Sequence, residues 1–200
     1  MSDATDPNSI IHRPWRGDLY RKGVEGRRVM IVGNSHWLSK DEPDDDKVTE
    51  DVLGKVISGE YDIAFFNHIR DYFGFAEHGD FWRRVVFLNY APWAIGEGDD
   101  RYAHLSGAMI PPAKKRLVKV VAEHAPDVVF VFSKKIQWAL PEMNFQDVDL
   151  PLPGARGGVL SSDASARIFL LRHTQGAPKR KMIETVAAIL RNRCSGPTLS

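Results

Sequence analysis

The sequence predicts an α/β fold: a three-layer α/β/α sandwich around a central, mostly parallel sheet of four strands. Short continuous apolar runs, of which Val29 to Val32 is the first, are typical of strands buried on both faces of a parallel sheet. These runs alternate along the chain with segments of helical periodicity. Such alternation predicts parallel strands joined by right-handed crossovers, with helices on both faces of the sheet.

Composition limits the class of protein. The chain has 200 residues, 43% of them hydrophobic and 26% charged, which favours one globular domain over residues 1–200. The net charge of +1 excludes a globally basic nucleic-acid binder, although a local basic face stays open. Cys194 is the single cysteine, which excludes a disulfide framework and a four-cysteine metal site within one chain. We expect no metal and no cofactor.

Targeting signals are missing from the sequence. No apolar run approaches the ~20 residues that cross a bilayer, and the N-terminal segment lacks a basic and then apolar signal region. We therefore expect a cytoplasmic protein with no membrane partner. Residues 1–10 are polar, and we expect them to be disordered.

The first predicted strand runs from about Arg28 to Val32 and ends at Gly33. The acidic loop at 41–46 lacks the glycine and the closing glutamate of a calcium-binding EF-hand, so it is predicted to be a solvated loop. Residues 48–75 are mostly helical in pattern, with an interruption at Gly59.

The remaining predicted elements alternate between strand and helix. Residues 141–164, before the last strand, are rich in Pro, Gly and Asp, so we predict that they form a long irregular excursion. In order, the elements are a second strand from Arg84 that ends at Asn89, a helix at 111–124, a third strand at 126–132, a short helix after Ser133, a fourth strand at 166–171 and a final helix after 179–181.

Polar side chains follow three of the four predicted strands. Asn34 and Ser35 follow the first strand, Asn89 ends the second, and His173 follows the fourth. Ligands of open parallel sheets bind beyond the carboxyl ends of the strands, so these side chains are predicted to share one site. Gly33 would let the backbone turn sharply and approach a ligand closely.

The order of these motifs resembles the uracil-DNA glycosylase superfamily. A glycine and a polar loop follow strand one, an asparagine ends strand two, the Pro-Asp-Val-Val strand ends in Ser-Lys-Lys, and a histidine ends the last strand. More narrowly, segment 33–36 is similar to a divergent bacterial branch with a Gly-x-Ser-His motif. The resemblance covers about Arg28 to Leu190.

The resemblance implies a DNA glycosylase that binds a flipped-out uracil-type or modified base and hydrolyses its N-glycosidic bond. Ser35 falls where the superfamily usually has the Asp or Asn that positions water, which is a departure from the pattern. The implied catalytic residues are Ser35, His36 and His173, and the implied base-binding residues are Gly33, Asn34, Trp37, Asn89 and Tyr90. In the superfamily the histidine hydrogen-bonds the base oxygen and stabilises the departing anion.

The residue types suit this chemistry. Cleavage leaves a base anion, which preorganised donors stabilise. An asparagine amide offers the donor and the acceptor that a pyrimidine edge needs, and an aromatic ring stacks on a flipped base. Basic and hydroxyl residues after strands three and four lie on the same rim and are predicted to contact DNA phosphates: Ser133, Lys134, Lys135, Lys179 and Arg180.

Two alternatives stay open at this point. Gly33-Asn34-Ser35 resembles the Gly-Asp-Ser start of certain serine esterases, so Ser35 could be a nucleophile with His173 as its base. The Asp-x-x-His spacing of those enzymes is absent. A protein that binds a nucleobase or nucleic acid without cleaving it is the second alternative, and the missing acid at Ser35 favours it.

Overall fold

The computed structural model describes residues 11–38, 43–95, 104–160 and 163–192, so residues 1–10 and Cys194 lie outside the described ranges. Its strands are β1 (Trp15–Arg16), β2 (Val29–Gly33), β3 (Val85–Asn89), β4 (Val128–Val131), β5 (Gln146–Asp147), β6 (Arg156–Leu160) and β7 (Asp163–Leu170). Its α-helices are α1 (Val48–Ser58), α2 (Ala64–Tyr72), α3 (His78–Trp82), α4 (Ile110–His124) and α5 (Lys179–Arg191). Short 3-10 helices cover Gly107–Met109 and Lys134–Ala139.

The strands form one mixed sheet of seven strands in the order β1-β3-β2-β4-β7-β6-β5. Strands β3, β2, β4 and β7 are parallel neighbours, while β1, β6 and β5 add antiparallel pairs at the two sides. The α/β class is confirmed, but the predicted count of four strands is wrong. The missed strands are short or partly exposed, so they lack the continuous apolar run that revealed the other four.

Successive residues of the central strands face opposite sides of the sheet. Val29 and Ile31 pack in a core cluster that α1, α2, α3 and α5 also line, whereas Met30 and Val32 pack in a second cluster with α4. Helices therefore lie on both faces. Burying one such aliphatic side chain contributes about 1.5–3 kcal/mol, so the two clusters supply most of the driving force for this arrangement.

The segment predicted as an irregular excursion contains β5 and β6, which corrects that prediction. Gly157 and Gly158 belong to β6, and a Cβ atom added there would lie 3.0 Å from Val148 Cγ1 and 3.2 Å from Phe145 Cδ1, respectively. The missing side chains of these glycines thus leave room for Val148 and Phe145 to pack directly against β6. Paired glycines in sequence indicate a turn, which is why this strand was missed.

Two helical predictions are confirmed in their positions. The segment predicted as mostly helical over 48–75 contains α1 and α2, and the predicted interruption at Gly59 is confirmed, because Gly59 has a left-handed φ of 81° and ends the first helix. The short helix after Ser133 is a 3-10 helix. Among the described residues, no helix has the length and apolar composition needed to span a membrane.

One buried hydrogen bond attaches the excursion to α5. The Thr185 hydroxyl accepts from the Leu152 N–H at 2.8 Å, and Thr185 is fully buried. We expect Thr185→Val to lower the free energy of unfolding by about 1–3 kcal/mol, because it leaves a buried N–H without an acceptor. Urea unfolding monitored by circular dichroism measures this change. Thr185→Ser keeps the hydroxyl and should lose less stability; equal losses in the two variants would contradict the assignment.

Candidate functional site

A cavity of about 1260 Å³ opens at the edge of the sheet where the parallel strands end. The predicted site residues that line it are Asn34, Ser35, His36, Trp37, Asn89, Ser133, Lys135 and His173. These come from the ends of four different strands. The second wall of the cavity comes from α1, α2 and the segment that joins them.

Asn89 ends β3 and pairs with Gly33 at the end of β2. Asn89 is only 5% exposed, and a Cβ atom on Gly33 would lie 2.1 Å from its side-chain oxygen Oδ1. Gly33 has no left-handed φ, so the glycine is needed for space and not for a sharp turn. No group among the described residues hydrogen-bonds the Asn89 amide, which faces the cavity with its donor and acceptor available.

Arg116 of α4 holds the end of β3 from the opposite side. Its Nη1 donates to the carbonyl oxygens of Asn89 at 2.7 Å and Ala91 at 3.2 Å. Burial lowers the pKa of Arg116 to about 10, so the guanidinium stays charged at neutral pH. These charge-assisted bonds fix the backbone from which the Asn89 side chain projects.

His173 presents a hydrogen-bond donor to the cavity. The Gln175 backbone N–H donates to His173 Nδ1 at 3.2 Å, so in the neutral ring the proton is on Nε2. Burial, and then the charge of Lys135, lower the pKa of His173 below the usual value of 6.5. The ring is therefore neutral at neutral pH and offers Nε2–H.

Phe65 is the site residue that sequence reasoning missed. It lines the cavity, and its ring stacks on that of His173 with centroids 5.7 Å apart and an interplanar angle of 30°. The helical pattern over 48–75 predicts that most of its aromatic rings face the core and that one or two lie at a pocket rim, but it does not single out Phe65. Phe65 is half-buried and packs against the core cluster that contains Phe66 while it also lines the cavity, so its sequence pattern does not distinguish it from a core ring.

His36 lines the cavity, but its hydrogen-bonding capacity is partly used within the protein. It is 6% exposed, its Nε2 lies 3.0 Å from Thr49 Oγ1, and its ring contacts the edge of His12. His12 in turn hydrogen-bonds Asp44 of the acidic loop. Burial, and then the charge of His12, lower the pKa of His36 to about 3. A neutral His36 thus joins the first loop to α1 and to the N-terminal segment, and its catalytic role stays a prediction.

The other residues of the first loop stand at the cavity without strong contacts to His173. Ser35 is partly buried, and among the described residues no hydrogen bond joins Ser35 to His173. Trp37 is 38% exposed at the rim. Asn34 lines the cavity, and its carbonyl accepts from the Ala91 N–H at 2.9 Å.

Several predicted residues do not line the cavity. Tyr90 is a correction: it is buried on the opposite face of the sheet, where its hydroxyl donates to the Ala139 carbonyl. Because neighbouring strand positions alternate between faces, Tyr90 cannot share the side of Asn89. Lys134 is also outside the cavity lining.

Lys179 and Arg180 lie away from the cavity as well. Lys179 Nζ is 2.7 Å from Asp71 Oδ2, and Arg180 Nε is 2.8 Å from Glu184 Oε1. Both cations are thus paired with carboxylates of α2 and α5. In the part of the chain that the structure describes, no group of three or more His, Cys, Asp or Glu side chains is arranged to hold a metal ion.

Gly33→Ala tests the close approach of Asn89. The added methyl group would overlap the Asn89 amide, so we expect a loss of about 1–3 kcal/mol in the free energy of unfolding. Gly54→Ala is the matched control, because nothing lies within 4 Å of that Cβ position in α1 and alanine favours a helix by up to ~1 kcal/mol. Chemical denaturation compares the two variants. A Gly33→Ala protein as stable as Gly54→Ala would rule out the close contact.

The buried His36 makes stability depend on pH. Folding lowers its pKa from 6.5 to about 3, so the unfolded chain binds more protons between these values. The free energy of unfolding should therefore fall as the pH drops below 6.5, with a slope of up to ~1.4 kcal/mol per pH unit. We expect His36→Gln to flatten the slope measured from pH 7 to pH 5. His124→Gln, which changes an α4 residue that does not line the cavity, should alter it less; equal slopes in wild type and His36→Gln would refute the assignment.

Comparison with known proteins assigns no family to the chain. No protein-family model matches it, and none of the curated proteins matches it. The chemistry of the site is therefore argued from its own geometry, in which an amide, a neutral imidazole and an aromatic ring line one cavity.

Proposed function

We propose that this protein binds a nucleobase in the cavity and hydrolyses the N-glycosidic bond of a uracil-type or modified base, as DNA glycosylases do. One observation supports this proposal above the others. The Asn89 amide, the Nε2–H of His173 and the ring of Phe65 line the same cavity. The parallel neighbours β3, β2, β4 and β7 bring their four strand ends to this one cavity.

The first step of the proposal is recognition of the base. The Asn89 amide has both a donor and an acceptor, which match the alternating groups on a pyrimidine edge. Because it has no partner among the described residues, binding a base would not break an existing bond. Phe65 lines the cavity and is the aromatic ring on which we expect the base to stack.

The second step is cleavage of the bond between the base nitrogen and the sugar carbon C1′. The base leaves with the electron pair, water adds its oxygen to C1′, and the proton released by water neutralises the base. His173 donates a hydrogen bond from Nε2–H to the base oxygen, where negative charge develops. The neutral ring can do this without a change in its own protonation state. Ser35 supplies a hydroxyl that can orient water, although it cannot act as a base in the manner of an aspartate.

The state of His173 argues against the serine hydrolase. In a Ser-His-Asp triad, Nδ1–H donates to a carboxylate, and Nε2 accepts the serine proton. In this protein Nδ1 accepts from the Gln175 N–H, so Nε2 of the neutral ring bears the proton and cannot serve as that base. We therefore do not propose a serine nucleophile.

A non-catalytic nucleobase binder is the second candidate, and the serine in place of an acid favours it. Cleavage distinguishes the two candidates. Release of free base from uracil-containing oligonucleotides and from nucleosides, measured by chromatography, supports the enzyme. Binding without release from any of them supports the binder.

Asn89→Ala and His173→Ala should each lower the rate of base release by about 10²–10³-fold, because each removes a group that contacts the base. Asn144→Ala is the matched control, since Asn144 is exposed and lies outside the cavity. The wild-type rate should fall below pH 6.5, where His173 with its lowered pKa gains a proton on Nδ1, because that proton breaks the bond from the Gln175 N–H that orients the ring. A His173→Ala variant with the wild-type rate would contradict the mechanism.

A further inference from the structure

The cavity is larger than a nucleobase alone requires. Its volume of about 1260 Å³ exceeds the ~300–1,000 Å³ of ordinary small-molecule sites. The strand ends line only part of it, and much of the rest is lined by α1, by the loop before it, by the segment between α1 and α2 and by the start of α2. A ligand that fills this space brings a second group, attached to the base, against that wall.

The second wall is acidic. Four carboxylate side chains line the cavity, whereas Lys55 and Lys135 are the lysines among its lining residues. Lys55 is engaged locally, with its Nζ 3.9 Å from Glu60, 3.1 Å from the Tyr61 hydroxyl and 4.8 Å from the Tyr61 ring centroid. The four carboxylates belong to Asp45, Asp51, Glu60 and Asp62.

This charge distribution is unfavourable for a phosphate. Four carboxylates against two lysines give the Asp, Glu, Lys and Arg side chains of the described lining a net charge of −2, and the lowered pKa values of His36 and His173 keep these two rings neutral at neutral pH. Two of the cations predicted to contact phosphates, Lys179 and Arg180, are paired elsewhere. Carboxylates accept hydrogen bonds, and sugar hydroxyl groups donate them.

We propose that the cavity binds a free nucleoside in preference to a nucleotide or a nucleic-acid strand. The base lies against Asn89 and His173, and the sugar hydroxyls donate to the carboxylates of the second wall. This inference rests on the proposed function, since it takes the cavity as a nucleobase site. The Asn89 amide supports it independently of the acidic wall, because this buried polar group faces the cavity without a partner among the described residues.

Titration calorimetry tests the preference with uridine, cytidine and adenosine, their 5′-monophosphates, and a single-stranded oligonucleotide that contains one deoxyuridine. We expect the best nucleoside to bind roughly tenfold more tightly than its monophosphate at low salt, as repulsion between a dianion and a net charge of −2 at about 10 Å predicts. The difference should shrink at 0.5 M salt because added salt screens this repulsion.

A matched pair of variants isolates the acidic wall. Glu50 and Asp51 both lie in the first turn of α1, but only Asp51 lines the cavity. Asp51→Asn should narrow the nucleoside-to-monophosphate ratio by roughly threefold, whereas Glu50→Gln should leave it close to wild type. Neutralising either residue removes a similar small interaction with the dipole of α1. The two variants should therefore lose similar stability, and a difference between their binding ratios reflects the cavity.

The outcomes separate this inference from the proposed function. A monophosphate or the oligonucleotide that binds as tightly as the nucleoside, or more tightly, overturns the inference and leaves nucleobase binding intact. Equal effects of Asp51→Asn and Glu50→Gln also overturn it. Failure of every one of these probes to bind overturns both the inference and the proposed function.

Discussion

The pairing of Gly33 with Asn89 is the constraint on which the site depends. In the parallel register these two residues stand side by side at the ends of β2 and β3, and the absent Cβ of Gly33 leaves the space that the Asn89 side chain occupies. Arg116 secures the same strand end by binding the carbonyls of Asn89 and Ala91. The amide is thus fixed before any ligand arrives, and a preorganised polar group loses little entropy on binding.

The protonation states of His173 and His36 are the second feature on which the site depends. The pKa of His173 is lowered by partial desolvation and then by the charge of Lys135, and the Gln175 N–H fixes the proton of the neutral ring on Nε2. His36, a few residues beyond Gly33, is also neutral, but it is bound to Thr49 and packed on His12. Two histidines at one cavity therefore differ in their tasks: one has a proton to donate toward the cavity, and the other stabilises the loop that shapes it. Chemical type alone does not distinguish them.

The cavity combines two electrostatic environments. Neutral hydrogen-bonding groups stand at the strand ends, while carboxylates such as Asp51 and Glu60 stand on the helical wall. A ligand that satisfies both has an edge that alternates donors and acceptors together with a group that donates to carboxylates. Base and sugar of a nucleoside fit this description, whereas a phosphate does not. The fold provides the two walls because α1 and α2 follow β2 directly and cover the face on which Asn89 opens.

The sequence by itself determined the four parallel strands and the convergence of their ends, because a continuous apolar run and a following polar residue are local signals that parallel pairing turns into proximity. It placed Asn89 and His173 at the cavity for that reason. The site prediction was wrong for Tyr90, because strand alternation places its side chain on the face opposite to Asn89. The strand prediction missed β6, because paired glycines indicate a turn and only the packing of Phe145 and Val148 against them shows a strand. Only the tertiary structure decided that Phe65 lines the cavity, that Lys179 is paired with Asp71, and that His173 accepts at Nδ1. Each of these depends on a contact between segments or on one rotamer, and such contacts leave no periodic pattern along the chain.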